Sequence, residues 1–191
     1  MKFRTIFADP PWEVKAGTLQ GREGFLDANG APKDLPYPSM TINQIASLPV
    51  GNVTDDDGAH LYLCTINKYV ENAYMVARAW GFEPSTLLVW AKNTMGGGLG
   101  GAYGISTEYV LFCRYGKCTA LDREPRTWWN WKRPYDERGK PRHSAKPPEL
   151  YSMIERVSPG PRLELFARDR RPNWHAWGNE VSAKNEILVP L

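Results

Sequence analysis

The residues best suited to chemistry stand near the start of the chain, in the stretch Asp9-Pro10-Pro11-Trp12. The apolar run Phe3 to Ala8 precedes them and predicts a buried strand that ends just before the acid. The two prolines fix φ and remove two backbone donors, so neither a helix nor a continued strand is expected there. A simple turn requires neither an acid nor a tryptophan, and the stretch therefore points to a chemical role.

Two acceptors at this position would activate an aromatic exocyclic amine such as that of adenine, whose lone pair is delocalised into the ring. The Asp9 carboxylate can accept one N–H, and the Pro10 carbonyl, restricted by Pro11, can accept the other. Such contacts favour a pyramidal nitrogen with an exposed lone pair. Trp12 is expected to stack on the base. The matching electrophile is the methyl of a sulfonium, and the chemistry needs only positioning and electrostatics, without a metal.

A second chemical feature is the segment 123–142, which carries seven Lys or Arg and three acids, a net charge of +4. Aromatic and basic residues alternate in it, a pattern typical of contacts with single-stranded or flipped-out nucleotides. The candidate contact residues are Trp128, Trp129, Lys132, Arg133 and the adjacent His143. The alternative is a surface loop whose tryptophans pack on the domain. We predict a nucleic-acid-contacting loop.

Composition limits the class of protein. The 191 residues are 42% hydrophobic with a net charge of +3, which indicates a single globular domain over residues 1–191. Cys64, Cys113 and Cys118 form no Cys-x-x-Cys pair, and His60 and His175 lack partners at ligand spacing, so neither a disulfide framework nor a metal site is predicted. The first apolar run is too short for a signal peptide, and no stretch could span a membrane. We expect a soluble, cytoplasmic protein with reduced thiols.

Strand and helix patterns alternate along the chain. After the first strand, short apolar runs predict strands, a capping box at Thr41 to Gln44 begins a helix, and two further segments have helical spacing. The predicted strands are Leu61–Thr65, Thr86–Ala91, Glu108–Cys113 and Arg162–Ala167, and the two further helices begin near Val70 and at Pro147-Pro148. This order predicts a parallel or mixed sheet covered on both faces. Ligands bind at the carboxyl ends of strands in such sheets, where Asp9 and Arg168 are expected.

The glycine-rich stretch 96–101 matches G-x-G-x-x-G formally. The residues after it, Tyr103 to Cys113, have a strand pattern, whereas a dinucleotide fingerprint requires a helix at that position. We interpret the stretch as a flexible loop over the site.

Several further stretches match one family in order. They are Leu35 to Met40, Trp90-Ala91-Lys92, Glu108, His143 to Pro147, Leu163 to Arg168, Asn173-Trp174 and Trp177 to Glu180. With Asp9 to Trp12, the chain resembles the mRNA-adenosine methyltransferase (MT-A, seventy-kilodalton subunit) family and its bacterial and phage relatives. The resemblance implies an α/β, Rossmann-like S-adenosylmethionine-dependent methyltransferase fold. It also implies three α/β/α layers, permuted motif order and methylation of N6 of adenine.

The resemblance also implies roles for individual residues. Asp9, Pro10, Pro11 and Trp12 would hold the target amine. The implied cofactor-binding residues are Asp9, Lys146, Phe166, Arg168, Asn179 and Glu180, although relatives often have Gln at the last position. Tyr37, Lys92 and Glu108 are candidate substrate contacts. The alternative for Lys92 is a solvated strand end, and the alternative for Glu108 is a pair with a surface lysine.

The sequence is compatible with several alternative substrates and partners. DNA is favoured over RNA as the substrate because small single-domain relatives are usually bacterial or phage proteins. Enzymes that methylate a glutamine amide or the cytosine amine more often carry Asn or Ser where Asp9 stands. A non-catalytic nucleic-acid-binding partner subunit is the alternative from another class, but such partners lose the acid or the tryptophan. A homodimer or a heteromeric partner is possible.

Overall fold

The computed structural model describes residues 1–13, 38–92, 102–135, 137–139 and 145–182. Within these ranges lie strands β1 to β7 and helices α1 to α4. The strands are β1 Thr5–Ala8, β2 Gly58–Thr65, β3 Glu83–Ala91, β4 Thr107–Gly116, β5 Trp128–Trp129, β6 Arg162–Leu165 and β7 Trp174–Trp177. The helices are α1 Ile42–Ala46, α2 Val70–Ala79, α3 Pro148–Val157 and α4 Asn179–Ser182, with single-turn 3₁₀ helices at Val50–Val53 and Asn67–Tyr69.

The described strands form one seven-stranded sheet in the order β5-β3-β4-β2-β1-β6-β7. Strand β1 is parallel to β2 and β6, β6 is parallel to β7, and β3 is parallel to β5. Strand β4 is antiparallel to both β2 and β3. The sheet is therefore mixed, as predicted. All strands except β4 point the same way, so their carboxyl ends and the start of β4 lie at one edge, called here the site edge.

Helices cover both faces of the sheet. Successive side chains along a strand point to opposite faces, so each strand contributes to both cores. Ile6 and Ala8 of β1 pack in one core cluster with Ile45 of α1 and Val76 of α2. Phe7, between them, packs in a second cluster with residues of α3. The predicted three-layer α/β/α arrangement is therefore confirmed.

Local sequence explains where the helices begin. The predicted capping box is present: Thr41 accepts a hydrogen bond from the Gln44 amide at 3.3 Å, and the Gln44 side chain accepts one from the Thr41 amide at 2.8 Å. Helix α3 begins at Pro148, where the missing N–H is not needed. No helix of the described part of the chain is both long and apolar enough to cross a lipid bilayer.

The structure corrects both the bounds and the number of the predicted strands. Strand β2 begins at Gly58, β3 at Glu83 and β4 at Thr107, all earlier than predicted. The last predicted strand ends at Leu165 rather than Ala167, because Phe166 has a φ of 62° and leaves the extended conformation. Strands β5 and β7 were not predicted: β5 has only two residues, and His175 interrupts the apolar residues of β7. The glycine-rich stretch 96–101 lies outside the described residues.

Candidate active site

Asp9 lies at the site edge, directly after β1, and its carboxylate is held by a lysine. Lys146 Nζ lies 2.6 Å from Asp9 Oδ2 and 3.5 Å from Glu108 Oε2. Glu108 also pairs with Lys92, which follows β3. These residues form a line of alternating charges, Lys92–Glu108–Lys146–Asp9, called here the four-charge cluster. The sheet brings it together because β1, β3 and the start of β4 share the site edge.

Two members of the four-charge cluster, Lys146 and Glu108, are held in their charged forms by their neighbours. Burial alone would lower the pKa of the Lys146 ammonium, but the charges of Asp9 and other acidic groups raise it above its usual range. Burial alone would likewise raise the pKa of the Glu108 carboxyl, but Lys146 and Lys92 hold it below its ordinary value. An ion pair removed from water is stable only with this kind of compensation. Lys92 is therefore not a solvated strand end, because it pairs with Glu108 within the site. Contact of either residue with the substrate stays a prediction.

The two prolines shape the backbone next to Asp9. The Pro10 carbonyl accepts a hydrogen bond from the Trp12 amide at 2.8 Å, and the Pro11 carbonyl accepts one from the Met40 amide at 2.9 Å. A carbonyl oxygen has two lone pairs, so the Pro10 carbonyl retains one for a ligand. The second acceptor predicted from the sequence is therefore tightly held and still has acceptor capacity.

Trp12 is placed differently from the prediction. Its side chain is buried, donates Nε1–H to the Cys64 carbonyl at 3.0 Å, and stacks on Tyr69 with ring centroids 5.4 Å apart. The expectation that Trp12 offers an open face to a base is therefore wrong in this structure. The hydrogen bond and the large apolar area explain why the indole turns into the core. Trp12 anchors the loop that carries Asp9.

The end of β6 lies beside Asp9 at the site edge. Ala8 pairs with Leu165, so Asp9 and Phe166 are the next residues on two neighbouring parallel strands. Phe166 is half-buried, and its ring meets the Trp177 ring edge to face. Gly178 lies so close that a Cβ there would be 2.3 Å from the Ala167 carbonyl oxygen. The chain therefore crosses itself tightly at this point.

The other residues implied for the cofactor also lie at the site edge, as far as they are described. Arg168 follows β6 and is half-buried. Asn179 is exposed at the start of α4, which begins two positions after the last residue of β7. The side chain of Glu180, and all of Tyr37 and His143, lie outside the described residues. Their roles stay predictions.

The basic aromatic segment divides into exposed and buried residues. Trp128 is 59% exposed, whereas Trp129 is only 6% exposed because it pairs with Trp90 in the sheet and stacks on Trp131. The prediction that Trp129 contacts nucleic acid is therefore wrong, since β5 turns alternate side chains inward and outward. Lys132 is exposed and Arg133 half-buried, just beyond the carboxyl end of β5.

An apolar cavity lies next to the four-charge cluster, between β3, β4 and α3. Trp90, Tyr109, Trp129 and Trp131 line it, with Glu108 and Lys146 as its charged members. Sequence reasoning missed this cavity. It also missed the contact of Lys146 with Asp9, because nothing local joins two residues so far apart. Among the described residues, no group of three His, Cys, Asp or Glu could hold a metal ion.

The three cysteines have no sign of reactivity. Cys64 and Cys113 are buried core residues, as predicted, and Cys118 is half-buried. Burial raises the pKa of each thiol above its ordinary value. Thiols of this kind are poor nucleophiles at neutral pH.

Comparison with known proteins agrees with this geometry. The MT-A70 family profile matches residues 3–108 and 137–180. The chain is 31% identical over 201 residues to the type II methyltransferase M.MunI from Mycoplasma sp, covering 99% of this chain and 82% of that protein. It is 27% identical over 198 residues to the human N(6)-adenosine-methyltransferase catalytic subunit METTL3, covering 94% of this chain but only 28% of that protein. A Drosophila melanogaster MT-A70-like protein is 28% identical, with 27% of its length covered.

The matched ranges include the strand that carries Asp9, the four-charge cluster and the crossing at Gly178. They also include strands β1, β2, β3, β6 and β7 and the first two residues of β4. Strand β5 lies outside the matched ranges. The chain is a member of the MT-A70 methyltransferase family.

Proposed function

We propose that this protein transfers a methyl group from S-adenosylmethionine to the exocyclic N6 amine of adenine in nucleic acid, with DNA favoured over RNA. The observation that carries the proposal is the Asp9 carboxylate at the site edge, held 2.6 Å from Lys146, with the Pro10 carbonyl beside it in sequence. Two acceptors of this kind match the two N–H groups of the adenine amine.

In the proposed mechanism the chain positions the amine and shapes its charge. The carboxylate of Asp9 accepts one N–H, and the free lone pair of the Pro10 carbonyl accepts the second. Both contacts concentrate electron density on the nitrogen, whose lone pair would form the new bond to the methyl group. The methyl–sulfur bond would break to leave a neutral thioether, and the amine would lose one N–H proton afterwards. Because the acceptors are held by Lys146 and by the Trp12 amide, they need no reorganisation during the reaction.

The residues present fit the proposed cofactor. S-adenosylmethionine carries a sulfonium, an ammonium and a carboxylate, and when bound it supplies an electrophilic methyl group. The site edge offers groups of both charges, with the Asp9 carboxylate for a cation and the Lys146 ammonium for a carboxylate. Arg168 and Asn179, at the ends of neighbouring strands, would hold the rest of the molecule. Glu180 is proposed by resemblance alone.

Nucleic acid as the substrate is supported by the surface next to the site. Strand β5 runs parallel to β3, so the residues after Trp129 leave the sheet at the site edge. Exposed Trp128 and Lys132, with half-buried Arg133, lie there. Flat rings can stack on bases, and cations can contact phosphates. Lys92 is already paired within the four-charge cluster, so its proposed contact with substrate would be indirect.

The preference for DNA is supported by the extent of the similarity. The chain spans most of the type II methyltransferase M.MunI but about a quarter of the relatives named for adenosine methylation. The possibilities of RNA as a substrate and of a non-catalytic partner subunit are decided by experiment.

The test supplies cofactor with a labelled methyl group together with single-stranded DNA, duplex DNA or RNA. After digestion, mass spectrometry identifies the labelled nucleoside. We expect N6-methyldeoxyadenosine, obtained faster from single strands because no base has to be extruded. Label in RNA alone would reverse the preference for DNA. Label on cytosine or on protein, or none with cofactor that binds normally, would reject the proposed reaction.

A further inference from the structure

The side chain of Phe166 lies on the opposite face of the sheet from the one that strand alternation predicts. In β6, Leu163 and Leu165 pack in the cluster that includes α1 and α2, whereas Glu164 between them accepts a hydrogen bond from Tyr151 of α3 at 2.8 Å. Continued alternation would turn residue 166 to the α3 face. Phe166 instead packs on the α1 and α2 cluster, like Leu165.

The backbone explains this reversal. Phe166 has a φ of 62°, in the left-handed region that a bulky residue rarely adopts. A conformation of this kind persists only when its surroundings enforce it. The Ala167 amide donates to the Trp177 carbonyl at 2.9 Å, and Gly178 approaches the Ala167 backbone too closely for any side chain. These two contacts fix the backbone of Ala167, the residue that follows the left-handed turn.

The position that Phe166 avoids is next to Asp9. Ala8 and Leu165 pair in register, and Asp9 follows Ala8 as Phe166 follows Leu165. Asp9 is on the α3 face, since it contacts Lys146, which precedes α3. An extended Phe166 would therefore place its ring beside the Asp9 carboxylate.

We propose that the left-handed backbone of Phe166, enforced by Gly178, clears the space beside Asp9 on the α3 face, and that the cofactor binds in this space. The inference rests on the proposed function. It changes the role of Phe166: the ring is not a wall of the cofactor site, and the turn at residue 166 is a positioning element. Backbone conformation, rather than aromatic character, is what the site requires at this position.

The experiment compares Phe166→Gly, Phe166→Ala and Phe166→Val by urea unfolding and by calorimetric titration with S-adenosylmethionine. A left-handed residue with a Cβ is disfavoured by about 1–2 kcal/mol relative to Gly. The unfolding equilibrium constant of Phe166→Gly should therefore be about fivefold to thirtyfold lower than that of Phe166→Ala. The matched control is Met75, which lies in α2 and is 45% exposed. There the Met75→Gly variant should be less stable than the Met75→Ala variant, because glycine is unfavourable inside a helix.

Cofactor affinity provides the second measurement. Phe166→Gly can keep the turn, whereas the β-branched Phe166→Val cannot do so without strain. The Gly variant should therefore bind S-adenosylmethionine at least about tenfold more tightly than the Val variant. The inference would be overturned if Phe166→Gly and Phe166→Ala were equally stable. It would also be overturned if Phe166→Gly and Phe166→Val lost affinity for S-adenosylmethionine equally. If Phe166→Val does not fold, the Gly and Ala variants decide alone. Failure of the proposed function is distinguishable, because the wild type itself would then bind no cofactor.

Discussion

Lys146 Nζ and Asp9 Oδ2 lie 2.6 Å apart although 137 positions separate the two residues in the sequence. The Lys146 side chain is only 9% exposed, so its ammonium depends on the carboxylates around it. The Asp9 carboxylate is in turn oriented before any substrate arrives. The ion pair connects the loop after β1 with the start of α3 and makes the site part of the folded core.

Replacing Asp9 by Asn tests the proposed acceptor. The variant keeps the size of the side chain but loses its charge and one acceptor atom. We expect methyl transfer to fall by about a hundredfold to a thousandfold, by analogy with the loss of one preorganised group from an electrostatic site. The rate is measured at saturating substrate, with circular dichroism as the check on folding. Near-normal turnover would remove the carboxylate from the mechanism.

Replacing Lys146 by Met tests the four-charge cluster. In this variant Glu108 keeps Lys92 as a partner, but Asp9 loses the ammonium group of Lys146 that pairs with it. We therefore expect a loss of about 3 kcal/mol in the free energy of unfolding. The double variant with Asp9→Asn should lose less than the sum of the two single variants, by about 1–2 kcal/mol. Denaturant unfolding of all four proteins measures this coupling. Strict additivity would show that the ion pair does not contribute to stability.

Replacing Trp12 tests whether the indole is structural. Trp12→Phe removes the donor to the buried Cys64 carbonyl and should cost about 1–3 kcal/mol of stability. Trp12→Ala should cost about 3–5 kcal/mol. If Trp12 were instead a stacking surface for the base, the Phe variant would raise KM for nucleic acid and leave stability unchanged.

Trp128 and Trp129 are neighbours with opposite expected behaviour. Trp128→Ala should weaken binding to single-stranded DNA by about 1–3 kcal/mol without changing stability. Trp129→Ala should instead lower stability by about 3–5 kcal/mol, because its ring is buried. Fluorescence anisotropy with labelled oligonucleotides and thermal unfolding separate the two effects. Lys132→Ala should also reduce the slope of log affinity against log salt by about one.

We expect His60 to make the stability of the fold depend on pH. Its Nε2 lies 3.0 Å from the Cys118 carbonyl, which can only accept, so Nε2–H is the donor and Nδ1 accepts from Ser158. Tyr62 donates to the same Ser158 oxygen. A second proton on His60 would break this network. Burial and the nearby arginines lower the pKa of His60 below its ordinary 6.5, despite the opposing Cys118 carbonyl.

The sign of the effect follows from proton binding. Below about pH 6.5 the unfolded chain takes up a proton at His60 before the folded protein does, so the free energy of unfolding should fall as the pH falls. Glu164 acts in the opposite direction, because burial raises the pKa of its carboxyl. The measurement is therefore the difference between wild type and His60→Gln, each unfolded in urea from pH 5.5 to pH 8. A pH-independent difference would contradict the prediction.

Much of the fold followed from local patterns. Apolar runs predicted the long central strands, helical spacing predicted α2 and α3, and the capping box located the start of α1. The short edge strands β5 and β7 could not be predicted, since they exist only because neighbouring strands supply their hydrogen bonds. The same reason explains Phe166, whose left-handed turn is imposed by Gly178 from another strand.

The sequence alone determined the chemical groups of the site and the edge at which they gather, because strand ends, prolines and helix starts depend on neighbouring residues in the chain. Asp9 and Arg168 were expected at that edge for this reason, and the structure has both there. Only the tertiary structure decided which groups face each other. Lys146 pairs with Asp9, and Trp12 and Trp129 turn into the core, because burial and hydrogen bonding depend on residues that are distant in the sequence and adjacent only after folding.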